Sequence, residues 1–139
     1  YLDWARAKGL VDMALCRVGQ IRFEDGYSLM TAMLDDGLRP EIVVAANDNM
    51  AIGAYRAIQE RGLRIPDDIG VVGFNDIPAA QFLSPPLTTI RIHAEQIGEI
   101  AVDLASELIA GRDFYKKVVI STDLIWRDSC RRPADAAMP

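Results

Sequence analysis

Apolar residues in this chain alternate between helical spacing and short continuous runs. Three- and four-residue spacing predicts helices, and it occurs over residues 1–8, 25–37, 48–62 and 94–110. Short apolar runs predict strands, and they occur at residues 16–21, 41–46, 69–74 and 88–90. Two further short runs, 118–120 and 124–126, follow the last helix. Asp25 is the predicted cap of the second helix.

The order of these elements predicts an α/β fold. Helices and strands alternate with short connections, which is typical of a parallel sheet flanked by helices on both faces. The strand at 41–46 is rich in β-branched residues and is expected to be buried. In such a sheet, ligands bind beyond the carboxyl ends of the strands, so the residues that follow each strand are the first place to look for a site.

Polar side chains follow two neighbouring strands of the predicted sheet. Asn47, Asp48 and Asn49 come directly after residues 41–46, and Asn75 and Asp76 come directly after residues 69–74. One interpretation is capping, because Asn and Asp are preferred at helix starts and in tight turns. The other is a shared site for a polyhydroxylated ligand, because paired carboxamides and carboxylates donate to and accept from hydroxyl groups.

Composition and charge narrow the class of protein. The chain has 139 residues, of which 50% are hydrophobic and 25% charged, with a net charge of −5. This is globular composition, and no run reaches the roughly 18 apolar residues of a membrane span. The acidic balance argues against DNA binding by these residues themselves. The start shows no signal peptide and no Met, so we expect a cytoplasmic location and a piece of a longer protein.

Catalytic and metal sites are not expected. A glycosidase pair of Asp48 and Asp76 is the catalytic alternative, but no nucleophile elbow, phosphate loop or HExxH motif accompanies them. His93 is the single histidine, and Cys16 and Cys130 lie far apart without metal-ligand spacing. Each cysteine is either a small buried hydrophobe or a free thiol. We therefore expect no enzyme activity, no cofactor and no metal.

The motifs ANDNMAIGAYRAIQERGLRIPDDIGVVGFND, SPPLTTIRI, Gly98 and LIWRDSC resemble the effector-binding region of LacI/GalR-type bacterial transcription regulators. The resemblance covers about residues 1–129. It implies a two-lobed, periplasmic-binding-protein-like fold with a small sugar-like effector in the cleft. It also implies a homodimeric repressor that contacts DNA only through an N-terminal helix-turn-helix absent from this sequence. The alternative is a periplasmic sugar-binding protein of a transporter, which shares the fold.

The resemblance implies roles for individual residues. Positions that bond sugar hydroxyls in the family match Asn47, Asp48, Asn75 and Asp76, and Asn49 matches a position that lines the cleft. Asn75 replaces the commoner Asp, and Ile21 stands where many members carry an aromatic ring that stacks on the sugar. Positions at the family's dimer interface match Ile52, Phe82 and Leu83, for which ordinary core packing is the alternative.

The resemblance also implies incomplete lobes within a partial effector-binding domain, residues 1–131. The chain would cross between lobes near Ile92–His93 and again near Thr122–Asp123. Residues 1–91 and 123–131 then form most of the C-terminal lobe, residues 94–121 are a fragment of the N-terminal lobe, and residues 132–139 are a tail. We therefore predict that the apolar stripe of the helix at 94–110 packs on another chain or on atypical partners, and not on an intact parallel sheet of this chain.

Overall fold

The computed structural model describes residues 2–9 and 12–132. Its α-helices are α1 (Leu2–Ala7), α2 (Phe23–Asp35), α3 (Asp48–Glu60) and α4 (Ala94–Ile109). Its strands are β1 (Ile42–Val44), β2 (Gly70–Asn75), β3 (Thr88–Arg91) and β4 (Asp123–Ile125). Short 3-10 turns occupy Met13–Leu15 and Pro78–Phe82. All four predicted helices are present, and most of the predicted tail, residues 133–139, lies outside the described residues.

The strands form one sheet in the order β1-β2-β3-β4. β1, β2 and β3 run parallel, whereas β4 runs antiparallel to β3. The predicted α/β architecture is confirmed, with a mixed sheet because the chain returns after α4 to pair beside β3. The carboxyl ends of the three parallel strands share one edge, which is where the predicted polar positions lie.

The core lies between α2, α3 and the sheet. It includes Met30, Met33 and Leu34 of α2 and Ala51, Ala54, Tyr55 and Ile58 of α3. The two helices approach closely at Gly26 and Gly53, since a Cβ on Gly53 would lie 2.1 Å from the Phe23 carbonyl oxygen. Glycine is therefore required at this crossing for steric reasons. Tyr55 is so buried that burial raises the pKa of its phenol to about 12.

Two apolar runs do not form strands. Residues 16–21 and 118–120 have no strand assignment, and Val18 is 94% exposed. No strand among the described residues pairs with either run, and an extended segment needs a neighbour for its backbone donors and acceptors. The predicted strand at 16–21 is therefore wrong. The prediction of a buried β1 is also wrong, because β1 is an edge strand of the described sheet and Val44 is 66% exposed.

Helix α4 lies outside the core. None of its residues is buried, and its apolar face and residues 118–120 together line a groove of about 420 Å³. This groove is lined by Ile97, Ile100, Ala101, Leu104, Val118, Val119 and Ile120. No sheet within the described residues covers the stripe, and what packs on it stays a prediction. The assignment of residues 94–121 to a second lobe stays a prediction.

Residues 2–9 and 12–132 contain neither a candidate membrane-spanning helix nor a candidate metal cluster. None of the helices there has the length and apolarity needed to cross a membrane. No group of three or more His, Cys, Asp or Glu side chains in those ranges is arranged to hold a metal ion. Both cysteines, Cys16 and Cys130, are free thiols.

Candidate functional site

Polar residues stand at the carboxyl ends of the parallel strands. Val44, the last residue of β1, pairs with Val72 of β2. Asn47 comes three residues after the end of β1, and Asn75 is the last residue of β2. Asn75 in turn pairs with Arg91, the last residue of β3. The carboxyl edge of the parallel strands therefore presents Asn47, Asn75, Asp76 and Arg91 in adjacent positions, as the spacing in the sequence predicted for the first three.

Asn47 caps α3 and also holds a loop. Its Oδ1 accepts a hydrogen bond from the Met50 amide at 2.9 Å, which satisfies one of the free donors at the helix start. Its Nδ2 donates to the Ile21 carbonyl oxygen at 2.9 Å. Ile21 is thereby fixed beside the strand ends, with an exposed side chain and a left-handed backbone at φ 44°. The capping interpretation is confirmed for Asn47.

Asp48 points into the protein. Its side chain is 0% exposed, and its two oxygens accept from different elements. Oδ2 accepts from the Ile77 amide at 2.8 Å, and Oδ1 accepts from the Thr89 hydroxyl at 2.6 Å. Asp48 therefore joins the start of α3 to β3 and to the turn after β2. A contact between Asp48 and an effector remains a prediction.

Asn75 and Asp76 have an unusual backbone. Their φ angles are 105° and 53°, in the left-handed region that costs free energy for any residue with a Cβ. Asn and Asp tolerate this region better than most residues. The turn leaves the half-buried side chain of Asn75 at the carboxyl edge, where a carboxamide can both donate and accept.

Asp76 is the centre of an ionic cluster. Its Oδ2 accepts from Arg91 Nε and its Oδ1 from an Arg127 terminal nitrogen, both at 2.7 Å, and its side chain is 7% exposed. Burial opposes ionisation of Asp76, but hydrogen bonds and charge from Arg127 and Arg91 outweigh it and lower the pKa of the carboxyl. Asp76 is therefore a carboxylate near neutral pH, and its two arginines tie β2 to β3 and to the segment after β4.

The remaining predicted residues lie around this edge or away from it. Asn49 is exposed in the first turn of α3. Of the predicted dimer-interface residues, Phe82 is 80% exposed, while Ile52 and Leu83 are half-buried. An exposed phenylalanine argues against the core alternative at that position. The dimer interface itself stays a prediction.

The predicted lobe crossings lie beside each other. Ile92 and His93 precede α4, and Thr122 and Asp123 lead into β4. His93 Nε2 lies 3.2 Å from Asp123 Oδ2, so the outgoing and returning segments contact one another. A hinge role for this pair stays a prediction.

Three residues of the site are not predicted by the sequence. Thr89 binds Asp48, while Arg91 and Arg127 bind Asp76. The prediction considers only residues that follow the carboxyl end of a parallel strand, whereas Thr89 lies within β3 and Arg127 follows an antiparallel strand. One signal for Thr89 is present in the sequence. Successive side chains of a strand point to opposite faces of the sheet, so Thr89 faces the side opposite to Thr88.

A separate cavity lies at the opposite end of the sheet. It has a volume of about 490 Å³ and includes Ile42 and Gly70, the first residues of β1 and β2, with Asp67, Cys130 and Arg131 nearby. Burial raises the pKa of the Cys130 thiol, which keeps it in the less reactive protonated form near neutral pH. This cavity is distinct from the polar carboxyl edge.

Comparison with known proteins gives consistent results. The model of the periplasmic binding protein-like domain matches residues 1–130. The lactose operon repressor of Rhizobium radiobacter is 59% identical over 111 residues, which are 80% of this chain and 98% of that protein.

Solved structures agree with the sequence comparison. A LacI-type transcription regulator from Bifidobacterium animalis subsp. lactis has a TM-score of 0.84 at 35% identity, covering 94% of this chain and 48% of that one. A lac repressor dimer bound to operator and the anti-inducer ONPF has a TM-score of 0.77 at 35% identity, covering 81% and 39%. The chain thus spans about two fifths to one half of the length of these two crystallised regulators.

Proposed function

This chain belongs to the LacI/GalR family of transcriptional regulators, as part of the periplasmic-binding-protein-like effector-binding region, and we propose that its carboxyl edge binds a small sugar-like effector. The observation that supports the proposal most strongly is the convergence of Asn47 and the Asn75–Asp76 turn at one sheet edge. Ligands of open parallel sheets bind at this edge.

The chemistry of the edge suits a polyhydroxylated ligand. Asn75 and the exposed Asn49 offer carboxamides, and Asp76 offers a carboxylate whose orientation is fixed by two arginines. The half-exposed Arg91 adds donors, so both acceptors and donors face the same region. Asn47 fixes the Ile21 loop at its border, and the exposed Ile21 side chain supplies an apolar contact in place of an aromatic ring.

We propose further that the whole protein is a homodimeric, cytoplasmic repressor and not an enzyme. Effector binding would shift the equilibrium between two lobe arrangements, and only a difference in affinity for the two arrangements can do so. DNA contact would come from a helix-turn-helix elsewhere in the gene product. The related proteins compared above are regulators, which favours this reading over a transporter component.

Calorimetric titration of the whole gene product with lactose, galactose, glucose and ribose tests the effector proposal. Asn75→Gly is the sharpest variant, because glycine accepts φ 105° and the substitution removes the carboxamide side chain without straining the backbone. We expect it to weaken binding of the preferred sugar at least about tenfold, in line with the loss of a buried hydrogen-bonding group.

Gln59→Ala is the matched control, because it removes a carboxamide that binds the Ser84 carbonyl oxygen at the far end of α3. Its affinity should equal that of the wild type. A wild type that binds none of the sugars, or equal affinities for Asn75→Gly and Gln59→Ala, would contradict the proposal.

A further inference from the structure

Building on the proposed effector site, we infer that Asp48 is a positioning residue. In place of the effector contact that the resemblance implies for Asp48, we assign to its carboxylate the task of holding the turn at residues 75–77 in the shape that presents Asn75 and Asp76. The inference therefore separates Asp48 from its neighbour Asn47, although the two follow the same strand and have similar side chains.

The first step of the argument is where the carboxylate oxygens go. The Asp48 side chain is fully buried, and it accepts from the Ile77 amide at 2.8 Å and from the Thr89 hydroxyl at 2.6 Å. Buried carboxylates must be satisfied by such donors. Among the described residues no Lys, Arg or His forms an ion pair with Asp48, so neutral donors of the turn and of β3 satisfy it.

The second step is what those donors hold. Ile77 comes directly after Asn75 and Asp76, whose left-handed φ angles need support from surrounding structure. The Thr89 hydroxyl donates to Asp48 and also accepts from the Asp76 amide at 3.4 Å. Both Asp76 and Ile77 are thereby fastened to the Asp48–Thr89 pair through their backbone amides, which leaves the Asn75 side chain free for a ligand.

The third step is how tightly the carboxylate fits. A Cβ on Gly73 of β2 would lie 2.1 Å from Asp48 Oδ1 and 2.9 Å from the Leu87 side chain. The carboxylate thus fills a space that exists only because residue 73 is glycine. Close packing of this kind fixes the position of the two oxygens and therefore of the turn they hold.

Thr89→Val is the test variant, with Thr88→Val as its matched control. Both threonines are fully buried neighbours in β3, and valine replaces only the hydroxyl. The Thr88 hydroxyl bonds to the backbone of Arg127 instead of to Asp48. Amide hydrogen exchange at Ile77 and calorimetric sugar affinity are measured on the whole gene product, with lactose, galactose, glucose and ribose as probes.

We expect Thr89→Val to speed exchange of the Ile77 amide at least about tenfold relative to Thr88→Val, and to weaken sugar affinity by a similar factor at comparable melting temperature. Asp48→Asn keeps one carbonyl oxygen for the Ile77 amide, so it should retain more sugar affinity than Asp48→Ala. Such a rescue by the conservative change would not follow from a general loss of stability.

Equal Ile77 exchange in the two threonine variants would overturn the inference, as would equal loss of affinity in both. A wild type that binds none of the sugars contradicts the effector proposal instead. In that case the exchange rates still decide whether Asp48 and Thr89 hold the turn, so the two failures are distinguishable.

Discussion

Helices α3 and α4 have the same kind of apolar spacing but opposite surroundings. In α3, the buried residues include Ala51, Ala54, Tyr55 and Ile58. In α4, which is three residues longer, no residue is buried, and Ile109 is 88% exposed. The difference comes from partners, because α3 packs on α2 and β2, whereas the apolar face of α4 lines an open groove with residues 118–120.

Hydrophobic periodicity therefore predicts a helix and the face it buries, but not what covers that face. Most helical stability in proteins comes from packing of the apolar face, so the two helices should respond differently to the same substitution. The exposed stripe of α4 is consistent with the proposed second lobe, whose sheet is not part of the described residues.

The largest expected contrast is between Ile58→Ala in α3 and Ile109→Ala in α4. Ile58 is fully buried, and truncation of such a side chain costs about 2–5 kcal/mol through lost burial and the cavity left behind. The same change at exposed Ile109 should alter the free energy of unfolding by less than about 0.5 kcal/mol. Urea unfolding of this 139-residue chain measures both, and similar losses would mean that α4 is packed in solution.

A contrast of opposite sign is expected for two glycines within helices. Gly53→Ala places a Cβ against the Phe23 carbonyl oxygen, and overpacking of this kind costs about 1–3 kcal/mol. Gly98→Ala in α4 meets nothing within 4 Å, and it should stabilise the chain by about 0.5–1 kcal/mol because alanine favours the helix. Thermal unfolding by circular dichroism would show melting temperatures displaced in opposite directions. A stabilising Gly53→Ala would show that α2 and α3 are not in close contact.

The same difference explains how much of the fold the sequence predicts. All four helices and the strands β1, β2 and β3 follow from local periodicity and turn residues. The strand predicted at residues 16–21 does not form. Strand pairing is non-local, and local spacing does not reveal whether a neighbouring strand exists. The direction of β4 likewise depends on where the chain returns after α4.

The candidate site divides in a similar way. Asn47, Asn75 and Asp76 were predicted from one rule about strand ends, and in the structure they lie at or just beyond the carboxyl ends of β1 and β2, while their contact with an effector stays a prediction. The inward direction of Asp48 was not predicted, because it depends on Thr89 some forty residues later and on the space left by Gly73. Arg127 was missed for the same reason, as its partner Asp76 is distant in sequence.

The smallest expected effect is the dependence of the unfolding free energy on pH that is due to Asp76. This residue lies where the sheet meets the segments leading to and from α4. The pKa of Asp76 is lowered in the folded protein, so its contribution is present above the ordinary aspartate pKa of about 3.9. It is lost as the pH falls through the lower folded value. Since Arg91 is half exposed, we expect this contribution of Asp76 to the free energy of unfolding to be roughly 1 kcal/mol.

Asp76→Asn should therefore lose less unfolding free energy than the wild type when urea unfolding is compared between pH 5 and pH 2.5. Asp123→Asn is the control, because Asp123 lies on the neighbouring crossing with a more exposed side chain paired to His93. The Asp123→Asn variant should keep the acid sensitivity of the wild type, because Glu60, Asp68 and Asp76, whose pKa values are lowered in the folded protein, are unchanged in it. If Asp123→Asn rather than Asp76→Asn reduced the acid sensitivity, the core and the segments around α4 would be held together by the His93–Asp123 pair. The cluster of Asp76 with its two arginines would then not hold them.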